Sequence, residues 1–206
     1  MRGKLITFEG GEGSGKSTQV KLLENYLIYR KIPFCLLREP GGTVWGEEVR
    51  QVLLTPRTEE ISSLAEFLLF LSARAQLVQQ QVRPRLQQGI HVLLDRYIDS
   101  SVAYQGYGRG IDLELVDALN NAATNNLVPD LTLLYDINPE IGLQRAKEKG
   151  RDRIEEADDG FHDRVRSGYL ALAEARIRIT VLDGAKEIDV LHHETVRLVL
   201  REMGRP

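Results

Sequence analysis

The sequence predicts an α/β fold built on a parallel sheet with helices over both faces, and three observations carry that expectation. Five short apolar runs, at 5–8, 34–37, 90–94, 131–135 and 179–182, are separated by stretches of helical periodicity. The first run leads directly into Gly10-Gly11-Glu12-Gly13-Ser14-Gly15-Lys16-Ser17, which fits the phosphate-binding pattern G-x-x-x-x-G-K-[ST]. No internal repeat, low-complexity tract or Pro/Ser-rich linker divides the 206 residues. A single domain is expected, able to bury roughly 70% of the surface its unfolded form exposes.

Composition narrows the class of partner. With 42% hydrophobic and 28% charged residues the chain is that of an ordinary globular protein. No window approaches the ~18 consecutive apolar residues of a membrane span, so no membrane partner is expected. A net charge of −3 without a long basic run lacks the footprint of a dedicated nucleic-acid binder. The N-terminus runs straight into a strand pattern with no signal peptide, and the one cysteine, Cys35, lies in an apolar run, where it is expected as a small core residue. A cytoplasmic location and a small anionic ligand are the expectation.

Each element adds a candidate. The glycines of the 10–18 stretch let backbone N–H groups turn inward around a polyphosphate, and Lys16 adds a fixed positive charge. Val20, Leu23 and Leu27 continue at helical spacing, so a helix N-terminus also faces the phosphate. Gly10, Gly11, Glu12, Gly13, Ser14, Gly15, Lys16, Ser17 and Thr18 are therefore candidate ATP contacts, with the Ser17 hydroxyl offered to Mg²⁺. After the second strand, Arg38-Glu39-Pro40-Gly41-Gly42-Thr43 reads as a tight loop whose Thr43 caps the next helix. Glu39 and, in that helix, Arg50 are candidate substrate contacts, whereas the place of Trp45 is open between core, lid and subunit contact.

The longest helical pattern runs from about Ser63 to Gln88, with Leu64, Phe67, Leu68, Leu71, Ala75, Val78, Val82 and Leu86 on one broad face and a kink expected at Pro84. Phe70 and Arg74, four residues apart at the rim of that face, can receive a flat heterocycle by stacking and hydrogen bonding. The strand His91-Val92-Leu93-Leu94-Asp95 ends in a carboxylate, a second candidate magnesium partner, followed by Arg96. The polar stretch from Asp99 to Gln105, followed by Gly106, Gly108 and Gly110, reads as a binding loop, with Ser100, Ser101, Tyr104 and Gln105 as candidate substrate contacts.

Further on, Asp112 to Thr124 reads as a capped helix and Asn138-Pro139-Glu140 as a helix start. The charged, apolar-poor segment around 147–159 is expected to be a mobile lid that brings Arg151 and Arg153 over the phosphates. Helices over 161–175 and about 187–202 flank the last strand. His192 and His193 point ~100° apart on the closing helix and make poor joint metal ligands; both are expected to be exposed.

Two phosphorylated reactants brought into line need several positive charges and Mg²⁺, and Lys16, Arg96 and the lid arginines can supply the charges. No general base is required, because a phosphomonoester with a second pKa of about 6 already presents an ionised oxygen near neutral pH. Two other readings share the phosphate loop. One is a kinase for a different small acceptor; the other is a nucleotide-driven switch or motor, weakened by the absence of the guanine-reading Asn-Lys-x-Asp stretch.

Taken together, Gly10 to Thr18, Arg38 to Thr43, Phe70 with Arg74, Asp95-Arg96-Tyr97, Ala103-Tyr104-Gln105-Gly106 and Asp152-Arg153-Ile154-Glu155 resemble the bacterial thymidylate kinase family over essentially the whole chain. The resemblance implies a five-stranded parallel sheet of the nucleoside monophosphate kinase type, a homodimer, and transfer of the γ-phosphoryl group of ATP to dTMP, supplying dTTP for DNA synthesis. It implies catalytic roles for Lys16, Asp95, Arg96 and Arg153, ATP contacts by Arg151 and Arg153, magnesium held by Ser17 and Asp95, and Glu12 near the 3′-hydroxyl of dTMP. It further implies Phe70 stacked on thymine, Arg74 donating to its O4, Ser101 and Gln105 near the base, and Tyr104 crowding a ribose 2′-hydroxyl.

Overall fold

The computed structural model describes residues 2–56, 58–146 and 160–205, so the expected lid at 147–159, with Arg151 and Arg153, lies outside the described residues. Among the described residues, five strands form one parallel sheet in the order β2-β3-β1-β4-β5. They are β1 Leu5–Gly10, β2 Phe34–Arg38, β3 His91–Asp95, β4 Leu131–Asp136 and β5 Ile179–Asp183. Each matches one of the apolar runs to within two residues. The central strand β1 is buried along its whole length, which is why it reads as a near-continuous apolar run.

Period-two alternation sends the two faces of the sheet to different partners. Ile6, Phe8, Leu93, Leu133 and Tyr135 pack under α1 (Lys16–Tyr29) and α9 (Ile188–Glu202), against Leu23, Leu27 and Val199. Residues of the opposite face, Leu5, Val92, Leu94 and Leu134, meet α3 (Ser63–Leu77), α6 (Leu113–Thr124) and α8 (Phe161–Ala175) and the segments joined to them. Burying each such Leu or Phe stabilises the fold by roughly 1.5–3 kcal/mol. On this second face β1 also carries Thr7 and Glu9, both buried, so a polar strip runs beneath α5 (Ile98–Ser101). Outside α3 lies α2 (Val44–Leu54), which buries Val49 and Leu53 against Ala73. Thr43 caps α2 by accepting from Gly46 N at 2.9 Å, and Asp112 caps α6 by accepting from Leu115 N at 2.9 Å, both as expected.

Several local expectations change in the folded chain. The irregularity expected at Pro84 takes the form of a π-helical turn, Val78–Val82, between α3 and α4 (Arg83–Gln87). Pro84 has no N–H to donate back along the helix, and widening the preceding turn keeps its ring clear of the Gln80 carbonyl. Leu64 and Leu68 are 45% and 49% exposed, not core residues; the buried face of α3 is centred on Phe67, Leu71, Arg74 and Leu77. The stretch from Asp99 to Gly108 is not a loop. It forms α5 and a π-helical segment, Val102–Gly108, buried against α8, and a Cβ at Gly168 of α8 would lie 2.7 Å from the Tyr107 ring. Cys35 is only partly buried, as is His192, which lies edge-on to Tyr26, while His193 is exposed. Trp45 is 48% exposed on α2 and donates its Nε1 proton to Ser72 Oγ at 2.9 Å.

Candidate active site

At the carboxyl end of the sheet, the chain leaves β1 through residues 11–15 and enters α1 at Lys16. Gly13 has φ 65°, and a Cβ there would lie 2.0 Å from the Gly142 carbonyl oxygen of α7 (Pro139–Ala146), so a pair of glycines lets α7 approach the loop. Gly11, Glu12, Gly13, Ser14, Gly15, Lys16, Ser17 and Thr18 line a cleft closed on its far side by Arg145 and by residues 184–188. Gly10 does not line it; the residue ends β1 behind the loop, with Ser14 Oγ packed where a Cβ would project. Lys16 is buried at the start of α1 and its Nζ donates to Asp95 Oδ1 at the end of β3. Burial pulls the Lys16 pKa below the usual lysine range, and the Asp95 carboxylate opposes that pull.

A second cleft opens on the other side of Lys16. Its wall contains Glu12, Lys16, Ser17, Glu39, Arg50, Phe70, Arg74, Asp95, Arg96, Ser100, Ser101, Tyr104 and Gln105, so every expected substrate contact lies on one surface. Arg96 stands where the two clefts meet. Its backbone is left-handed, φ 68°, held by donation of its N–H to Phe8 O at 3.0 Å. From there the guanidinium reaches across the site. Nη2 donates to Glu12 Oε1 at 3.0 Å and to the Tyr104 hydroxyl at 3.1 Å; Nη1 donates to Ser100 Oγ at 3.2 Å and to the Tyr169 hydroxyl at 3.3 Å. Burial disfavours its charge, but Tyr104, Tyr169, Glu12 and Asp95 more than offset this and hold the group cationic. Tyr104 donates in turn to Glu12 Oε1 at 2.9 Å, and its ring lies under Arg96 with 4.9 Å from guanidinium carbon to centroid.

Arg74 departs from its expected place at the rim. It is 1% exposed and makes four hydrogen bonds to protein acceptors. Nε donates to Glu39 Oε2 at 2.8 Å and Nη2 to Tyr97 O at 3.1 Å; Nη1 donates to Ser101 Oγ at 2.8 Å and to Asn120 Oδ1 at 2.5 Å, and Nη2 lies in an ion pair 2.6 Å from Glu39 Oε2. A thymine O4 reaching Arg74 therefore competes with acceptors already there, of which Glu39 and Ser101 also line the cleft wall. Glu39 Oε1 is buried without a hydrogen-bond partner, and burial raises the Glu39 pKa while Arg74 lowers it. Phe70 is half-buried on the same wall, Arg50 Nη1 donates to Pro40 O at 3.0 Å, and Gln105 Nε2 faces the buried Glu66 carboxylate at 3.4 Å.

Sequence reasoning did not find Glu9, Tyr169, Asn120 or Glu66. A carboxylate inside an apolar strand of a two-sided sheet is a visible signal, since such a charge needs partners; the other three lie on helices whose facing depends on packing. Glu9 Oε1 accepts the Tyr97 N–H at 2.8 Å, and Oε2 accepts from Ser100 Oγ at 2.5 Å and Tyr169 OH at 2.9 Å. Beside it, Asp99 is fully buried between Arg176 at 2.7 Å and Arg178 at 2.6 Å. Burial, then the Asp99 charge, pushes the Glu9 pKa up to about 7, against the lowering influence of Ser100, Arg96 and Tyr169. Between the ordinary carboxylate value and about 7 the folded chain therefore binds a proton that the unfolded chain releases. The stabilisation from this group is full at low pH and lost as pH rises through 7. Urea unfolding of the wild type and Glu9→Gln is expected to show a stability gap that shifts in favour of the wild type at pH 5 relative to pH 8; a gap independent of pH contradicts the assignment.

Ser17, exposed at the start of α1, and the Asp95 carboxylate supply hard oxygen donors at the junction of the clefts. Among the described residues no group of three or more His, Cys, Asp or Glu could hold a metal by itself. The donor set suits Mg²⁺, which takes one or two protein ligands and completes its shell with waters and substrate phosphates.

Comparison with known proteins agrees with this geometry. The family model described as "Thymidylate kinase" matches residues 8–195. The chain is 48% identical over 195 residues to thymidylate kinase of Carboxydothermus hydrogenoformans, covering 94% of this chain and 95% of that one. It is 47% identical over 200 residues to thymidylate kinase of Caldanaerobacter subterraneus subsp. tengcongensis, covering 97% and 96%. The crystal structure of thymidylate kinase from Ehrlichia chaffeensis superposes with a TM-score of 0.77 at 35% identity, covering 97% of this chain and 99% of that one. The match of the family model over residues 8–195, with relatives of this identity and coverage and a solved structure of the same fold, leads to one conclusion: the chain belongs to the thymidylate kinase family.

Proposed function

We propose that the chain transfers the γ-phosphoryl group of ATP to the phosphate of dTMP, yielding ADP and dTDP and so supplying dTTP for DNA synthesis. The observation that carries this reading is that two clefts, one built on the phosphate loop and one lined by Phe70, Arg74 and Gln105, share Glu12, Lys16, Ser17 and Arg96. Two nucleotides entering from opposite sides bring their phosphates together at those four residues, the geometry an in-line displacement needs. The attacking phosphate oxygen bonds to the γ-phosphorus as the bond to the β–γ bridging oxygen breaks, and ADP leaves with the electron pair. Lys16 holds the β and γ phosphates, Arg96 grips the dTMP phosphate, and Glu12 and Tyr104 orient Arg96 and border the sugar. Ser17 and Asp95 would hold Mg²⁺, which when bound neutralises charge between the β and γ phosphates. Arg153 and Arg151, outside the described residues, are assigned to the transferring group and to ATP on the family's pattern. Residues 147–159 are assigned a lid role and the chain a single-domain organisation in the cytoplasm; among the described residues no helix is long and apolar enough to cross a membrane.

The test is phosphoryl transfer from ATP with Mg²⁺, comparing dTMP, dUMP, dCMP, UMP and no acceptor. Losing the thymine methyl removes about 0.8 kcal/mol of burial, so dUMP is expected to have kcat/KM roughly fourfold lower. dCMP, which presents an amino donor to the donors around Arg74, is expected to be rejected by at least about a hundredfold. Acceptor-independent hydrolysis at the full rate overturns the kinase reading, and preference for another monophosphate overturns the acceptor.

A homodimer is part of the proposal. On α2, Val44, Trp45 and Val52 are exposed, and on α3 so are Leu64 and Leu68; the Trp45 to Ser72 hydrogen bond sets these two stripes side by side as one apolar face. A two-fold self-contact through this face is expected to give a dimer in light scattering, and Leu68→Lys is expected to yield monomer; a wild-type monomer at micromolar concentration refutes it.

A further inference from the structure

We propose that Glu9 is a positioning residue for the acceptor phosphate: its carboxylate draws the protons of the Ser100 and Tyr169 hydroxyls toward itself and so turns their lone pairs onto the guanidinium of Arg96. The inference rests on the reading that Arg96 grips the dTMP phosphate, and it adds how that arginine is held in its gripping pose.

A hydroxyl has one proton to give and two lone pairs to accept with. Ser100 Oγ and Tyr169 OH lie 2.8 Å apart, each within 2.9 Å of Glu9 Oε2 and each within 3.3 Å of Arg96 Nη1. With Glu9 ionised, whichever of the two donates to the other, the proton chain ends on its carboxylate, which can only accept. Both oxygens then face Nη1 as acceptors, which suits a group that can only donate. The other Glu9 oxygen accepts the N–H of Tyr97 at 2.8 Å, pinning the chain one residue after Arg96, whose own backbone is left-handed at φ 68°. One carboxylate thus fixes Arg96 from below the side chain and from behind the backbone. With Nη1 occupied and the ring of Tyr104 beneath, the Nη2 edge is held toward Glu12 at the junction of the clefts. Apolar side chains would fill the same volume at a lower desolvation cost, and they would leave a long, flexible arginine unrestrained in front of the phosphate.

Glu9→Gln keeps the shape and reverses the proton order, because the amide nitrogen would donate to one hydroxyl and drive that hydroxyl's proton toward Arg96. The experiment measures dissociation constants of dTMP and of thymidine by calorimetry at pH 8, where Glu9 and the phosphate are ionised. The ratio of thymidine to dTMP isolates the contribution of the phosphate. Glu9→Gln is expected to lower that ratio about tenfold with thymidine affinity within about twofold of wild type. Added to the Ser100→Ala/Tyr169→Phe double variant, which lowers the ratio by itself, it is expected to have no further effect. Equal losses for thymidine and dTMP, an unchanged ratio, or additivity with the hydroxyl variants overturns the inference. Should Glu9→Gln not fold, Ser100→Ala and Tyr169→Phe singly must each lower the ratio, and if neither does the relay is refuted. Arg96→Ala separates the two levels: an unchanged ratio there overturns the reading of Arg96 itself, whereas a collapsed ratio with an inert Glu9→Gln overturns only the role of Glu9.

Discussion

Replacing Arg74 by alanine is expected to destabilise the fold by about 3–5 kcal/mol, the range found when one partner of a buried ion pair is removed. The side chains of Arg74 and Glu39 are 2% and 4% exposed, and Glu39 Oε1 already lacks a partner, so the truncation strands a carboxylate and also leaves the Asn120 amide oxygen without its donor. For a chain of this length the loss corresponds to a fall of about 6–20 °C in Tm. Desolvation already raises the Glu39 pKa, and removing the guanidinium takes away the influence that lowers it, so the carboxyl is pushed further toward its neutral form, which limits the loss without abolishing it. Calorimetric or urea unfolding of Arg74→Ala and of Arg74→Met/Glu39→Gln decides the matter. The double variant should recover part of the stability, because it removes both charges. If Arg74→Ala unfolds like the wild type, the buried network contributes little to stability and Arg74 acts as a substrate contact alone.

Lys16→Ala is expected to lower kcat by about a thousandfold or more with Tm little changed, a loss of about 4 kcal/mol in the barrier. Lys16 is held in a buried position by Asp95 before any ligand arrives, so the positive charge is in place at the moment the β and γ phosphates need it. Incoming phosphates oppose the desolvation that now lowers the lysine pKa, so binding strengthens the charged form. Lys16→Arg is not expected to restore the rate, since a planar fork does not fit a site built around a compact ammonium between a loop backbone and Asp95. Single-turnover transfer from labelled ATP to dTMP separates this from an effect on product release. A kcat within tenfold of wild type for Lys16→Ala would mean that another cation, Arg96 or one from residues 147–159, carries the charge on the transferring group.

The folded chain shows why some of this was legible beforehand. The five strands are buried on both faces, so they appear as uninterrupted apolar runs, and β1 and β3 each end in groups that face outward from the carboxyl edge of the sheet. Lys16, Ser17, Asp95 and Arg96 could be located because they sit within a residue or two of a strand end or a helix start, where chain direction alone aims the side chain. Residues in the middle of helices were harder. Arg74 looked like a rim residue because helical spacing gives the angle between Phe70 and Arg74 but not which neighbour faces them; the neighbours proved to be Glu39, Ser101 and Asn120, from 27 to 46 positions away in sequence. The polar stretch after Asp99 resembled a loop for a related cause. Its serines, Tyr104 and Gln105 are buried in a helix because Glu9, Arg74 and Glu66 supply hydrogen-bond partners that no local pattern can show.

By itself, then, the sequence determined the order of strands and helices and the phosphate-binding end of the sheet, because these depend on periodicity, glycine placement and the direction in which a strand ends. It also named side chains that share one cleft beside Lys16, through the resemblance that several spaced motifs carry. Only the tertiary structure decided that those side chains are already bound to one another. Arg74 makes four hydrogen bonds to protein acceptors, Arg96 bonds Glu12 and the hydroxyls of Tyr104, Ser100 and Tyr169, and the last two hydroxyls lean on a carboxylate 91 and 160 residues away in the chain. Such contacts follow from strand pairing and helix packing, which bring distant residues within hydrogen-bond range only after the sheet has closed over its core.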